Sequence, residues 1–186
     1  MIIQASRLER WKGQTLLLSA LGQMRDVPNW RCWIAGGAQR PHEAEYLQEL
    51  QTQAREVGMA DRVKFIGQRA DVPRLLAAAD IHCQPNTGAE PFGIAFVEAL
   101  YAGLPVVTTA MGGGMEIVDD SCGVLVTPDD AEGLSEELLS LIINSALREK
   151  LAAGGSARAE QLCNPARQLS RLHGLLSDLV KQEAVA

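Results

Sequence analysis

The chain has 186 residues, 47% of them hydrophobic and 22% charged, which is typical of one ordinary soluble globular domain. Its formal net charge of -6 offers no broad basic surface, so we expect neither nucleic acid nor an anionic membrane as a partner. No apolar run is long enough for a transmembrane segment, and the four cysteines form no CxxC pair, so we expect a cytoplasmic protein with reduced thiols.

Short β-rich runs alternate with longer stretches of helical periodicity along most of the chain. The predicted strands cover residues 1–5, 30–35, 63–66, 81–84, 105–109 and 124–126. The predicted helices between them cover residues 12–25, 41–57, 72–79 and 93–102. This alternation predicts an α/β fold, a doubly wound parallel sheet of about six strands with helices on both faces.

The segment after the sixth predicted strand is helical. Thr127 begins a capping turn before a helix that reaches about Ile143, and two more helical stretches follow. We expect residues 1–164 to form one domain. We expect the last helix, within residues 165–186, to pack on that domain or on an N-terminal domain missing from this chain. Its leucines recur on one face, at Leu169, Leu172, Leu175, Leu176 and Leu179.

The loop after the fourth strand and the helix that follows it each carry a carboxylate. In doubly wound sheets ligands bind beyond the carboxyl ends of the strands, where Glu90 lies. Glu98 follows about one and a half turns into the next helix. The free N–H groups of Phe92, Gly93 and Ile94 attract phosphate, and carboxylates accept hydrogen bonds from sugar hydroxyls. The pattern therefore fits an anionic sugar conjugate.

The loop after the first strand carries two cations near another helix start. Arg7 offers a planar guanidinium and Lys12 a compact ammonium at the same edge of the sheet. We expect both to reach one diphosphate and to stabilise it as a leaving group.

Three motifs together carry a family resemblance. They are the E-x7-E from Glu90 to Glu98, the R-L-x-x-x-K-G from Arg7 to Gly13 and the MGGGMEIV that starts at Met111. With them the chain resembles glycosyltransferase family four, of the group 1 glycosyl transferases, nearly end to end. That family has the GT-B fold of two Rossmann-like domains and transfers sugars with retention of configuration. This chain is similar to the C-terminal half, which binds the nucleotide-sugar donor, while the N-terminal domain binds the acceptor.

The resemblance implies a role for each motif residue. Arg7 and Lys12 would neutralise the diphosphate, Glu98 would bind the ribose hydroxyls, and Glu90 would contact the transferred sugar. Backbone amides of the helix start would add contacts at Phe92, Gly93 and Ile94. We class Arg7, Lys12 and Glu90 as catalytic and the others as donor-binding.

Three other loops carry weaker implications. The resemblance places Gly36 and Gly37 beside the nucleotide pocket, Arg69 in the loop that contacts the base, and the backbone of Gly112 and Gly113 near the donor sugar. Alternatively, the glycines from residue 112 to 114 form only a flexible turn.

The chain also departs from the family at two positions in these loops. The family often has glycine where Ser6 stands and serine where Asn86 stands. The family's catalytic histidine and its acceptor loop lie in the N-terminal domain, so we expect no transfer by this chain alone.

No His, Cys or carboxylate cluster has metal-ligand spacing, so we expect no metal and no cofactor beyond the nucleotide-sugar substrate. His82 lies in an apolar strand, which favours a satisfied core or strand-end histidine over a catalytic base.

Two alternative functions stay open: a donor-binding module without independent catalysis, and a GT-B-fold epimerase acting on a nucleotide sugar. A Rossmann dehydrogenase is disfavoured because no GxGxxG follows the first strand.

Overall fold

A computed structural model of the chain describes the backbone of residues 1–183 and the side chains of residues 1–178. The strands are β1 (Ile2–Ala5), β2 (Cys32–Ala35), β3 (Val63–Gly67), β4 (Ile81–Gln84), β5 (Val106–Thr109) and β6 (Gly123–Val126). The helices are α1 (Gln14–Gln23), α2 (Pro41–Glu56), α3 (Val72–Ala77), α4 (Ile94–Tyr101), α5 (Gly113–Ile117), α6 (Ala131–Ile143), α7 (Ser145–Cys163) and α8 (Pro165–Glu183).

The six strands form one parallel sheet in the order β3-β2-β1-β4-β5-β6. The chain winds outward in one direction from β1 to β3 and then in the other direction from β4 to β6. The loops after β1 and β4 therefore diverge, which opens a crevice at the carboxyl edge between them. This order confirms the doubly wound α/β sheet predicted from the alternation of strands and helices.

Successive strand residues point to opposite faces of the sheet and build two hydrophobic cores. Ile2 packs on one face with buried leucines such as Leu17 of α1 and Leu138 of α6. Ile3 packs on the other face with Phe96 of α4 and Ala159 of α7. Both faces are covered, so the binding crevice lies at the edge of the sheet.

The start of the first helix differs from the prediction. A 3₁₀ turn covers Arg10–Lys12, and α1 begins only at Gln14. Between them Gly13 has φ +73°, and a Cβ there would lie 1.7 Å from the carbonyl oxygen of Pro85. The left-handed conformation favours glycine, and the close approach leaves no room for a Cβ. Lys12 consequently lies in the 3₁₀ turn before α1, next to the loop after β4.

The last helix exposes its apolar side. Leu169, Leu172, Leu175 and Leu176 are 52% to 66% exposed, while Leu179, the fifth leucine of the predicted stripe, lies outside the described side chains. Packing of this helix on another domain stays a prediction. Along residues 1–183, no helix has both the length and the apolar character needed to cross a membrane.

Candidate functional site

A cavity of about 270 Å³ opens at the carboxyl edge, between the loops after β1, β2 and β3 and the exposed side of α4. The predicted site residues that it brings together are Arg7, Gly36, Gly37, Arg69 and Glu98. The sequence analysis missed two amides in its wall, Gln39 and Gln68. The cavity thus combines cations, a carboxylate, amides and closely approaching backbone, which suits a polar, hydroxyl-bearing anion.

Two glycines set the shape of this cavity. A Cβ on Gly36 would lie 2.2 Å from the carbonyl oxygen of Ser6, and one on Gly37 would lie 2.6 Å from Cβ of Gln68. Larger residues would push the three loops apart. The glycines are therefore needed for packing between loops, whether or not a ligand also approaches them.

A second cluster contains Lys12 and Glu90, which do not line that cavity. Nζ of Lys12 lies 2.5 Å from Oε2 of Glu90, and the two side chains are only 12% and 10% exposed. The ammonium also lies 3.9 Å from the centroid of the Trp11 ring, a cation–π contact. The second predicted cation is therefore held from two sides.

Arg7 is held more loosely than Lys12. Its guanidinium lies 3.1 Å from the carboxylate of Glu9, and its side chain is 65% exposed. The Glu9 side chain is only 20% exposed, and its Oε2 is buried without a hydrogen-bond partner among the described residues, so the pair is open to solvent mainly on the arginine side. The structure thus gives each of the two predicted diphosphate cations a separate carboxylate partner, which the sequence analysis did not foresee.

The start of α4 has a backbone geometry suited to binding an anion. Gly93 precedes the helix with φ +105°, and a Cβ there would lie 2.5 Å from the ring of Phe96. The first N–H groups of a helix have no acceptor within it. The flanking side chains of Phe92 and Ile94 are exposed, so this helix start faces solvent.

The glycine-rich segment after β5 packs on the loop that carries Glu90. The N–H of Gly113 donates to the carbonyl oxygen of Glu90 at 2.7 Å, and a Cβ on Gly112 would lie 2.6 Å from backbone atoms of Glu90. Gly113 and Gly114 belong to α5, which argues against the alternative of a flexible turn. Their approach to a donor sugar stays a prediction.

Two buried glutamines fix the loop that carries the cations. Nε2 of Gln4 donates to the carbonyl oxygen of Lys12 at 2.7 Å, and Nε2 of Gln14 donates to that of Arg7 at 2.9 Å. Sequence reasoning missed both residues. The available signal was a polar residue near the end of an apolar strand, and another at the first position of a helix.

His82 lies in the core, as predicted, but it is not satisfied. Among the described residues neither ring nitrogen has a hydrogen-bond partner, and burial lowers the pKa of His82 from 6.5 to about 4. Its ring lies edge-on to Phe96. Among the residues that the structure describes, no group of three or more His, Cys, Asp or Glu side chains could hold a metal ion.

Sequence comparisons relate the chain to known glycosyltransferases. The sequence model described as "Glycosyl transferases group 1" matches residues 1–158. Phosphatidyl-myo-inositol mannosyltransferase from Mycobacterium leprae is 34% identical over 149 residues, which cover 78% of this chain and 37% of that protein. The lipopolysaccharide core biosynthesis mannosyltransferase LpsB of Rhizobium meliloti is 28% identical over 159 residues, covering 83% of this chain and 45% of that protein.

Solved structures share the fold. HepE from Anabaena, in complex with UDP and glucose, matches with a TM-score of 0.84 and 34% identity, covering 93% of this chain and 47% of that chain. The C-terminal domain of LpcC from Francisella tularensis, a group 1 family glycosyl transferase, matches with a TM-score of 0.78 and 28% identity, covering 86% of this chain and 84% of that one. The chain therefore spans less than half of the two curated relatives and of HepE. It belongs to the group 1 glycosyl transferase family.

Proposed function

We propose that this chain is the donor-binding half of a retaining glycosyltransferase, and that it binds a nucleoside-diphosphate sugar at the carboxyl edge of its sheet. The cavity that joins Arg7, Glu98 and the glycines after β2 carries the proposal. A solved relative at 34% identity, HepE, holds UDP and glucose, which supports this class of donor. The acceptor would be held by an N-terminal domain of the parent enzyme, consistent with the chain spanning less than half of its relatives.

The nucleoside would occupy the cavity. Glu98 would accept hydrogen bonds from the ribose hydroxyls, because a carboxylate accepts two of them side by side. The loop that carries Arg69 would contact the base, and the backbone at Gly36 and Gly37 would border it. Arg7, at the mouth of the same cavity, would place its guanidinium on the diphosphate.

The reacting end of the donor would lie next to Lys12, Glu90 and the start of α4. As the bond between the anomeric carbon and the diphosphate breaks, negative charge grows on the leaving group. The Lys12 ammonium, the Arg7 guanidinium and the helix N–H groups would stabilise that charge, so we propose a reaction independent of metal ions. Glu90 would contact the sugar, and the acceptor would attack on the face from which the diphosphate leaves.

A second candidate is a donor-binding module that does no chemistry by itself. Its support is again that the chain covers 37% and 45% of its two mannosyltransferase relatives. We expect this chain alone to bind donor without transferring sugar. Transfer to added acceptor sugars, followed by mass spectrometry, would contradict that expectation.

Titration of nucleoside diphosphates by calorimetry tests the assignment of the two cations. Each charge-assisted hydrogen bond is worth about 1.5–3 kcal/mol, so the Arg7→Ala/Lys12→Ala variant should lose at least about a hundredfold in affinity. The matched control, Arg25→Ala/Lys64→Ala, removes the same charge from exposed positions that do not line the cavity and should bind normally. Equal affinity of the first variant and the wild type would overturn the assignment.

A further inference from the structure

Among the described residues, all hydrogen bonds to the Glu90 carboxylate are accepted by one of its two oxygens. Oε2 accepts from Nζ of Lys12 at 2.5 Å, from Nε2 of Gln84 at 3.4 Å and from Nδ2 of Asn86 at 3.4 Å. All three donor side chains are buried or nearly so. Along the described part of the chain, no partner is recorded for Oε1, the oxygen left available to a ligand.

The two amide side chains are themselves fixed by the sheet. Nε2 of Gln84 also donates to Oδ1 of Asn86 at 3.0 Å, which orients both amides relative to each other. On the neighbouring strand, Thr108 donates to the carbonyl oxygen of Gln84 at 2.8 Å and Thr109 to that of Asn86 at 2.6 Å. Gln84 and Asn86 are almost completely buried. The buried amide pair is thus held in place by the sheet, and both amides donate to the Glu90 carboxylate.

This support becomes important when the lysine changes partner. A nearly buried carboxylate must keep hydrogen bonds or a counter-ion, because an uncompensated buried charge is costly. If the Lys12 ammonium moves to a donor diphosphate, the amides of Gln84 and Asn86 are the donors that stay with Glu90. They would keep the carboxylate oriented, with Oε1 toward the sugar.

We infer that Asn86 is a positioning residue, which with Gln84 holds Glu90 in place to recognise the transferred sugar of the donor. The inference rests on the proposed function, because it requires a donor whose diphosphate is bound by Lys12 and whose sugar is contacted by Glu90. Asn86 serves this role because one amide group both accepts from Gln84 and donates to Glu90.

A pair of ligands separates positioning of Glu90 from general support of the fold. The probes are UDP with UDP-glucose, GDP with GDP-mannose, and ADP with ADP-glucose, titrated into the folded chain by calorimetry. Asn86→Ala should weaken binding of the sugar-bearing ligand about fivefold more than binding of the matching nucleoside diphosphate, since both ligands draw on Lys12 but only the sugar contacts Glu90. Asn86→Asp keeps the shape and the acceptor for Gln84 but lacks the N–H donor, so it should show at least the same selective loss.

Two further variants show whether Asn86 acts through Glu90. In a Glu90→Gln background, Asn86→Ala should no longer change the ratio of the two affinities. The control Ser19→Ala removes a part-buried hydrogen bond from Gln53 that involves neither the amide pair nor Glu90, and should leave that ratio as in the wild type.

Three results would overturn the inference. The first is an equal loss of both affinities in Asn86→Ala and Asn86→Asp, which would indicate a purely structural role. The second is wild-type affinity for both ligands in both variants, which would exclude Asn86 from sugar recognition but keep the proposed donor site. Finally, a folded wild type that binds none of the six ligands would remove the proposed function and the inference together.

Discussion

At the scale of single residues, the two cations of the site differ in how firmly they are held. Lys12 is nearly buried between the Glu90 carboxylate and the Trp11 ring, whereas Arg7 is mostly exposed and paired with Glu9. A diphosphate that binds Arg7 must displace Glu9 or lie beside its negative charge. Glu9 therefore competes with the diphosphate for Arg7 in this arrangement.

Glu9→Gln should accordingly tighten binding of nucleoside diphosphates by about two- to fivefold, because it removes a negative charge that lies 3.1 Å from the Arg7 guanidinium. The gain should shrink as salt is added, since the exposed Arg7 guanidinium is screened. Calorimetry at low and high salt measures both effects. Glu49→Gln, which breaks the ion pair with Arg10, is the control and should change nothing. Weaker binding by Glu9→Gln would show instead that Glu9 orients Arg7.

His82 should make the stability of the fold depend on pH. Its pKa of about 4 in the folded protein lies below the ordinary 6.5, so as the pH falls the unfolded chain takes up the proton first. The free energy of unfolding should therefore decrease between pH 6.5 and pH 4, by about 2 kcal/mol from pH 7 to pH 5.

Urea unfolding of wild type and His82→Leu at pH 7 and pH 5 measures this change in the free energy of unfolding. The variant should lose that part of the pH dependence, while His42→Leu, at an exposed position, should keep it. Identical pH dependence in wild type and His82→Leu would contradict the assignment.

The sequence predicted the motif residues better than their partners. Arg7, Lys12, Glu90 and Glu98 stand out because their residue types and spacings match a known family. The Lys12–Glu90 pair joins residues 78 positions apart, and the support from Gln84 depends on side-chain geometry that no local pattern encodes. These partners therefore emerged only from the structure.

At the scale of elements, the loops at the carboxyl edge are positioned by glycines that pack against neighbouring backbone. The six strands were predictable from their β-branched, apolar runs and the turns between them. The first helix was predicted two residues too early, because the approach of Gly13 to Pro85 is a tertiary contact. The close packing of Gly113 on Phe92 was hidden from the sequence for the same reason.

Gly13 and Gly103 form a matched pair for testing this packing. They have φ +73° and +76°, but a Cβ on Gly13 would clash with Pro85, whereas one on Gly103 would meet nothing within 4 Å. Gly103→Ala should cost about 1 kcal/mol of unfolding free energy, from backbone strain alone. Gly13→Ala should cost more than about 3 kcal/mol, since overpacking is added to the same strain. Equal losses in urea unfolding would show that the contact with Pro85 is unimportant.

At the scale of the whole molecule, both faces of the sheet are buried under helices, whereas the leucines of α8 are exposed to solvent. Leu172→Ser/Leu176→Ser should change the unfolding free energy of this chain by less than about 0.5 kcal/mol, because these side chains are already in solvent. Leu21→Ala, at a fully buried position of α1, should cost about 2–5 kcal/mol. A comparable loss in the α8 variant would mean that this helix packs on its own domain in solution.

The crevice between the loops after β1 and β4 follows from the strand order, which the sequence predicted as doubly wound. The same order places Arg7 and Glu98 on one cavity and Lys12 and Glu90 beside the start of α4. The sequence patterns used for the fold do not specify which base and sugar the proposed site would accept.

The central claim is that this chain binds a nucleoside-diphosphate sugar with Glu98 on the ribose. Calorimetric titration of wild type and Glu98→Ala with uridine, guanosine and adenosine diphosphate sugars tests it most directly. We predict saturable binding of at least one donor by the wild type, and a loss of about tenfold or more in Glu98→Ala as hydrogen bonds to a charged group disappear. A folded wild type that binds none of these donors, or a Glu98→Ala variant that binds as tightly as the wild type, would contradict the account.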